Sequence, residues 1–234
     1  MTFEDLSVVI TGASRGIGRQ IALFFAEHGH HPLVLIARDP NGLAETRQAC
    51  EEQGARHVYT VECNLSDPKG LESVILPKPF NHVGVLVNNA GGYAGLGFNE
   101  SDADVMHEQF DANVMTAFNA MKHFAPMLIE NDSGYIITVG SLGGLKGLEH
   151  AVAYATSKHA LLGLCRSLRP EFARHNIGMT IVNPGATWST SWESEEVVPE
   201  NLIDARDVAR LIYQVTRISP RSVVDELLIT PMRD

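Results

Sequence analysis

Short runs of apolar and β-branched residues alternate with longer helical patterns along nearly the whole chain of 234 residues. Most of these runs are continuously apolar, which is typical of parallel strands covered by helices on both faces of a sheet. Strands are predicted at Leu6–Thr11, Pro32–Ala37, His57–Cys63, Val83–Asn88, Gly134–Ser141, Ile177–Asn183 and Val223–Thr230. The alternation predicts an α/β fold, a doubly wound parallel sheet of about seven strands flanked by helices.

The intervals between the strands show helical periodicity. Helices are predicted at Gly16–Gly29, Leu43–Gln53, Pro68–Leu76, Asp102–Ile129, Ala151–His175 and Ala205–Val215. No linker, repeat or low-complexity segment divides the chain, so we expect residues 1–234 to form a single domain.

The charged residues argue against some classes of partner. Asp and Glu number 28 against 18 Lys and Arg, which gives a formal net charge of −10. This balance argues against nucleic acid and against an anionic membrane surface as the main partner. No apolar stretch approaches the ~18 residues needed to span a bilayer. The three cysteines, Cys50, Cys63 and Cys165, form neither a disulfide framework nor a metal-binding pattern. We therefore expect a cytoplasmic protein with no metal site.

A glycine-rich turn links the first predicted strand to the first predicted helix. Its residues are Gly12-Ala13-Ser14-Arg15-Gly16-Ile17-Gly18. Glycine permits positive φ and lets the backbone approach a phosphate, while the free N–H groups of a helix N-terminus favour a pyrophosphate. The turn predicts a Rossmann-like dinucleotide site. The cofactor-binding residues expected here are Gly12, Ser14, Arg15, Gly16, Ile17 and Gly18.

The end of the second predicted strand indicates which dinucleotide is bound. An NAD site usually has an acidic residue there to bind the ribose hydroxyls, but this strand ends in Ala37 and is followed by Arg38. Arg38 and Arg15 together suit a 2′-phosphate, which a guanidinium can bind bidentately. The pattern favours NADP(H), with Asp39 as the observation that speaks for NAD.

Tyr154 and Lys158 are four residues apart on a predicted helix, thirteen and seventeen residues after Ser141. This spacing places both side chains on one helix face. A cation beside a phenol favours the phenolate, so we expect Lys158 to lower the pKa of Tyr154 and allow proton transfer near neutral pH.

Taken together, these motifs resemble the short-chain dehydrogenase/reductase family over essentially the whole chain. The matching motifs are Thr11–Gly18, Asn88-Asn89-Ala90-Gly91, Asn113, Ser141, Tyr154 with Lys158, and Asn183-Pro184-Gly185. The resemblance implies a catalytic set of Asn113, Ser141, Tyr154 and Lys158, in which Asn113 holds a water that relays protons to Lys158. It also implies a homodimer or homotetramer built on the helices Asp102–Ile129 and Ala151–His175.

The same resemblance implies further cofactor contacts. These are expected from Asn64, Leu65, Asn89, Ala90, Gly91, Tyr154, Lys158, Pro184, Gly185 and Thr187. Asn64 stands where the family commonly has an aspartate, and its amide oxygen can still accept a hydrogen bond from adenine. Thr187, Ser189 and Thr190 remain alternatives for the hydroxyl that contacts the nicotinamide.

The segment from residue 186 to about 203 is expected to form a substrate loop, because both tryptophans, Trp188 and Trp192, lie in it. The leading interpretation is an NADP(H)-dependent oxidoreductase that reduces a small ketone or aldehyde to an alcohol. The alternatives are an NAD-linked alcohol dehydrogenase and a catalytically silent regulator that senses a dinucleotide.

Overall fold

Seven parallel strands form one sheet in the computed structural model, which describes residues 5–188 and 199–232. The strands are β1 (Ser7–Thr11), β2 (Leu33–Ala37), β3 (Val58–Glu62), β4 (Val83–Asn88), β5 (Gly134–Val139), β6 (Ile177–Pro184) and β7 (Glu226–Ile229). Their spatial order is β3-β2-β1-β4-β5-β6-β7, and each adjacent pair is parallel. The predicted doubly wound, Rossmann-like parallel sheet is thus confirmed.

Seven α-helices lie within the described ranges. They are α1 (Gly16–His28), α2 (Pro40–Glu52), α3 (Pro68–Glu72), α4 (Ala103–Phe110), α5 (Thr116–Glu130), α6 (Val152–Ala173) and α7 (Ala205–Val215). A π-helical turn, Asp111–Met115, joins α4 to α5. No helix in the described part of the chain is long and apolar enough to cross a membrane.

The sheet separates two apolar cores, because successive strand residues point to opposite faces. Along β1, Val8 and Ile10 pack into one core with α1, α2 and α7. Val9 packs into the other, with α3, α5 and α6. All three side chains are fully buried, and this two-sided burial explains why the strands read as continuous apolar runs.

Three predicted helices differ from the structure by more than two residues at a boundary or in their continuity. The second begins at Pro40, because Asp39 caps its N-terminus and proline suits the first helical turn. The third ends at Glu72, earlier than the predicted Leu76. The predicted single helix Asp102–Ile129 was wrong in its continuity, since the π-helical turn interrupts it.

The order of the strands places a crevice at the carboxyl ends of the central strands. From β1 the chain moves outward through β2 to β3, then returns to the other side of β1 as β4. In such sheets ligands bind outside the carboxyl ends of the strands, at the point where the direction of winding reverses. The glycine-rich turn after β1 and Asn89 after β4 lie at this point.

Candidate active site

The glycine-rich turn after β1 has a backbone that only glycine accommodates at its key positions. Gly12 and Gly16 have φ of +66° and +57°. A Cβ on Gly12 would lie 2.9 Å from the Cα of Ala90, and a Cβ on Gly18 would overlap the carbonyl oxygen of Gly12. Arg15 is the N-cap residue of α1 and makes no side-chain capping hydrogen bond. The glycines therefore let the turn pack closely against Asn89 and Ala90, and the first N–H groups of α1 have no side-chain cap.

Hydrogen bonds join this turn to the end of β4. The Thr11 hydroxyl donates to the Val87 carbonyl (3.2 Å) and accepts from the backbone N–H groups of Asn89 (2.9 Å) and Ala90 (3.0 Å). The Asn89 side-chain amide donates to the carbonyls of Thr11 (3.0 Å) and Gly12 (3.2 Å). These bonds fix the turn and the loop after β4 as one unit.

Two neighbouring elements also contact the turn. The Thr46 hydroxyl of α2 donates to the Ser14 carbonyl at 3.4 Å. Ile17, half-buried, packs against the core that includes α1 and α7. The turn is therefore held from both sides, and its conformation is set by the fold.

The corner beside β2 carries positive charge. Ala37 ends the strand, and both Arg38 and Arg15 are exposed. Neither arginine forms an ion pair with any residue in the described part of the chain. Asp39 accepts a hydrogen bond from the backbone N–H of Asn41 at 3.0 Å, so its carboxylate caps α2.

The loop after β3 is held against α5. The exposed Asn64 accepts hydrogen bonds at Oδ1 from the Ser66 backbone N–H (3.3 Å) and hydroxyl (2.9 Å). The carbonyl of the buried Leu65 accepts from the side-chain amide of Asn119 at 3.0 Å. Sequence reasoning missed Asn119, although a polar residue on the buried face of a helix was a usable signal.

Ser141, Tyr154 and Lys158 meet where β5 and α6 approach each other. The Ser141 side chain lies beside the phenol of Tyr154, and its hydroxyl accepts a hydrogen bond from the Gly143 N–H at 3.0 Å. The Lys158 ammonium lies 5.8 Å from the centroid of the Tyr154 ring and donates to the Val139 carbonyl at 3.2 Å. A Cβ on Gly91 would lie 3.7 Å from Lys158 Nζ, so the motif after β4 borders the same group.

Burial governs the ionisation of the pair. It raises the pKa of Tyr154, and the hydrogen bond with Ser141 opposes that shift. Burial also lowers the pKa of Lys158 to about 8. The prediction that Lys158 would lower the pKa of the phenol was therefore wrong in its net direction. Loss of solvent around the hydroxyl dominates, and sequence spacing does not show solvent loss.

Asn113 lies in the π-helical turn and is almost fully buried. Its Oδ1 accepts from the Gly92 backbone N–H at 3.2 Å. Its Nδ2 lies 3.0 Å from the carbonyls of both Gly92 and Gln109 and 3.1 Å from the hydroxyl of Ser157. The Ser157 hydroxyl donates to the Tyr154 carbonyl at 2.7 Å. Asn113 thus connects the loop after β4 to α6. Sequence reasoning missed its contact with Ser157.

The end of β6 completes this edge of the sheet. Pro184 is its last residue, and the Gly185 N–H donates to the Ile229 carbonyl at 2.8 Å. The buried Thr187 donates from its hydroxyl to the Gly185 carbonyl at 3.0 Å and pairs with Ile203 in an isolated β-bridge. Ser189, Thr190 and Trp192 of the predicted substrate loop lie outside the described residues.

The whole arrangement agrees with a comparison against known families. A model of the short chain dehydrogenase family matches residues 7–198. The chain belongs to the short-chain dehydrogenase family. The family match covers both the glycine-rich turn and the Ser141–Tyr154–Lys158 cluster.

Individual members of the short-chain dehydrogenase family support the same assignment. Human epidermal retinol dehydrogenase 2 is 35% identical over 182 residues, which are 76% of this chain and 59% of that protein. The chain thus spans about three fifths of that relative's length. Sepiapterin reductase of Chlorobaculum tepidum is 29% identical over 237 residues, covering 96% of this chain and 95% of the relative. A metagenomic short-chain oxidoreductase, solved in complex with NADP, superposes with a TM-score of 0.82 at 26% identity and covers 98% of both chains.

Proposed function

We propose that the protein is an NADP(H)-dependent oxidoreductase that reduces a ketone or aldehyde to an alcohol. The observation that carries this proposal is the position of the Tyr154 ring, 5.8 Å from the buried amine of Lys158, with Ser141 beside the phenol. This group of side chains lies next to a backbone cradle suited to a pyrophosphate. A solved relative that binds NADP and a relative named as a reductase agree with it.

The residues at the crevice fit a dinucleotide. The turn from Gly12 to Gly18 would hold the pyrophosphate at the start of α1, where no side chain caps the first N–H groups of the helix. Asn64 and Leu65 would border the adenine, and Asn89, Ala90 and Gly91 the adenosine side. Pro184, Gly185 and Thr187 would border the nicotinamide, and Tyr154 and Lys158 its ribose. When bound, the nicotinamide supplies the hydride.

The charges at the end of β2 support NADP(H) in preference to NAD(H). Arg15 and Arg38 are exposed and make no ion pair within residues 5–188 and 199–232, so both are available to a 2′-phosphate. Asp39, the acid that spoke for NAD(H), is engaged in capping α2. Two guanidiniums, beside a carboxylate that already caps α2, favour the doubly charged phosphate group.

The protein's own side chains would handle the proton. Near neutral pH the phenol of Tyr154 is protonated, as a proton donor must be, although burial raises its pKa and so makes it a weaker acid than a free phenol. In the reductive direction this hydroxyl donates its proton to the carbonyl oxygen of the substrate, where negative charge develops. The Ser141 hydroxyl donates a hydrogen bond to the same oxygen and orients it. Asn113 would hold the loop after β4 against α6 beside these side chains.

The segment from residue 186 to about 203 would shape the substrate pocket within a single domain of residues 1–234. The helices α5 and α6 would form the interface of a cytoplasmic homodimer or homotetramer. The partners of the chain would be a small carbonyl or alcohol substrate and a second copy of the chain.

The test of this function is NADPH consumption with a panel of ketones and aldehydes. Tyr154→Phe should lower kcat/KM by about 10²- to 10⁴-fold, the usual contribution of a general acid, while NADPH binding persists. Equal activity in the two proteins would remove Tyr154 from its role. Tight NADPH binding with no turnover of any carbonyl would instead favour the silent regulator.

A further inference from the structure

Tyr93 contacts the ring of Tyr154 from the loop that follows β4. The two ring centroids are 4.9 Å apart with an interplanar angle of 75°, an edge-to-face arrangement that aromatic rings prefer. Tyr93 is nevertheless 59% exposed, so most of its surface is left uncovered by the described residues. A large aromatic side chain beside the proposed acid is therefore open to contact with a ligand.

The backbone on each side of Tyr93 is anchored. Gly92 accepts a hydrogen bond from Asn113 and donates one to it, at 3.0 and 3.2 Å. The Leu96 carbonyl accepts from the N–H of Val152, the first residue of α6, at 3.1 Å. Asn113 also contacts Ser157, so both anchors lead to the helix that carries Tyr154. The backbone that carries Tyr93 is thus held close to the helix that carries Tyr154.

We propose that Tyr93 is a positioning and specificity-determining residue for the carbonyl reduction proposed above, on which this inference rests. Its ring fills the space beside the Tyr154 phenol. A carbonyl oxygen that reaches this phenol must bring its nearer substituent close to the Tyr93 ring. The enzyme consequently favours carbonyl compounds whose substituents are unbranched next to the carbonyl carbon.

Two symmetrical ketones isolate this effect. In 3-pentanone both substituents are unbranched, and in 2,4-dimethyl-3-pentanone both are branched at the carbon next to the carbonyl. Because each ketone is symmetrical, no alternative orientation avoids Tyr93. The ratio of their kcat/KM values, measured with NADPH on one sample, does not depend on the fraction of protein that is folded.

Removing the ring should shift this ratio toward the branched ketone. We expect Tyr93→Ala to change it by at least about tenfold, the discrimination that a pocket achieves for one or two carbon atoms. Tyr93→Phe keeps the ring and should leave the ratio near the wild-type value. An unchanged ratio in Tyr93→Ala overturns the proposal, since a purely structural role lowers both rates together. An equal shift in Tyr93→Phe also overturns it, because the hydroxyl would then be responsible.

A binding measurement separates this proposal from the proposed function. The same two ketones can be titrated calorimetrically into the protein saturated with NADP⁺, an oxidised cofactor that cannot reduce them. Tyr93→Ala should shift the ratio of their dissociation constants by about tenfold, as it does the ratio of rates. This shift would support the role of Tyr93 even if neither ketone were reduced. Its absence would count against Tyr93 even if Tyr154→Phe behaved as expected.

Discussion

Arg38 is the residue whose surroundings bear most directly on the choice of cofactor. It follows the last residue of β2, is exposed, and pairs with no acid in the described part of the chain. The neighbouring Asp39 caps α2 through the Asn41 N–H. The guanidinium is therefore free to move toward a phosphate at no cost in broken ion pairs.

Replacing Arg38 tests this placement. Arg38→Ala should weaken NADPH binding by about ten- to hundredfold, since hydrogen bonds to charged groups contribute roughly 1.5–3 kcal/mol. NADH binding should change little, because NADH lacks the 2′-phosphate. Arg56→Ala is the matched control. This exposed arginine precedes β3 and so lies at the amino ends of the parallel strands, away from the carboxyl ends that carry Arg38. Equal losses for NADPH and NADH would contradict the phosphate contact.

For single residues, the sequence predicted which side chains are neighbours better than it predicted their pKa values. The spacing of Tyr154 and Lys158 correctly indicated that they would be neighbours on one helix, as their 5.8 Å ring-to-amine distance shows. The direction of the Tyr154 pKa shift could not be predicted, because it depends on burial by residues distant in the sequence.

Among the helices, α5 links the loop after β3 to the core. Its Asn119 side chain is buried and donates to the carbonyls of Leu65 (3.0 Å) and Ser66 (3.4 Å). These bonds hold the loop after β3, which lies at the carboxyl edge of the sheet. The helix therefore supports a loop that would contact the cofactor.

Truncation of Asn119 should affect stability and binding together. Asn119→Ala leaves the Leu65 carbonyl without this donor, which costs about 1–3 kcal/mol of unfolding free energy. The melting temperature should fall, and NADPH affinity should fall with it. Lys122→Ala, an exposed position on the same helix, should change neither. An unaltered melting temperature in Asn119→Ala would show that the loop does not depend on this contact.

The π-helical turn before α5 shows what periodicity does not reveal about an element. The apolar pattern of residues 102–129 is compatible with one continuous helix, yet the structure widens it at Asp111–Met115. There the Asn113 side chain bonds to Gly92, twenty-one residues away, and to Ser157, forty-four residues away. Partners so distant in the sequence are established only by the fold.

For the stability of the whole molecule, burial of the Lys158 amine is unfavourable because it lowers the free energy of unfolding. Its pKa falls from 10.5 to about 8, so the folded protein binds this proton less tightly than the unfolded chain. Below pH 8 the charged amine must be buried, which destabilises the fold. The penalty decreases as the pH rises from 8 to 10.5, so this group makes stability increase with pH over that interval.

Replacing Lys158 with an apolar residue should therefore stabilise the cofactor-free protein. At pH 7 we expect Lys158→Met to raise the unfolding free energy by up to about 3 kcal/mol, since each pKa unit corresponds to about 1.4 kcal/mol. The gain should shrink by more than half at pH 9.5. Denaturant titrations at both pH values measure it, with Lys122→Met as an exposed control. A Lys158→Met protein less stable than the wild type at both pH values would contradict this account.

The overall architecture was the most predictable feature, because two-sided burial makes most of the strands nearly continuous apolar runs. All seven predicted strands overlap those in the sheet, and the parallel arrangement agrees. The two apolar cores, in contrast, draw on helices far apart in the sequence, such as α1 and α7 in one of them. That pairing depends on how the chain winds around β1.

The pairing of Thr187 with Ile203 has a consequence for how this protein can diversify. The bridge, together with the Trp188 N–H donating to the Ile203 carbonyl at 2.8 Å, brings two points of the backbone side by side before and after the intervening stretch. The entropic cost of closing a loop between such points grows slowly with the number of residues in the loop, by about 0.6 kcal/mol for each doubling. New sequence of varied length can therefore be grafted between these two positions while the framework keeps its stability.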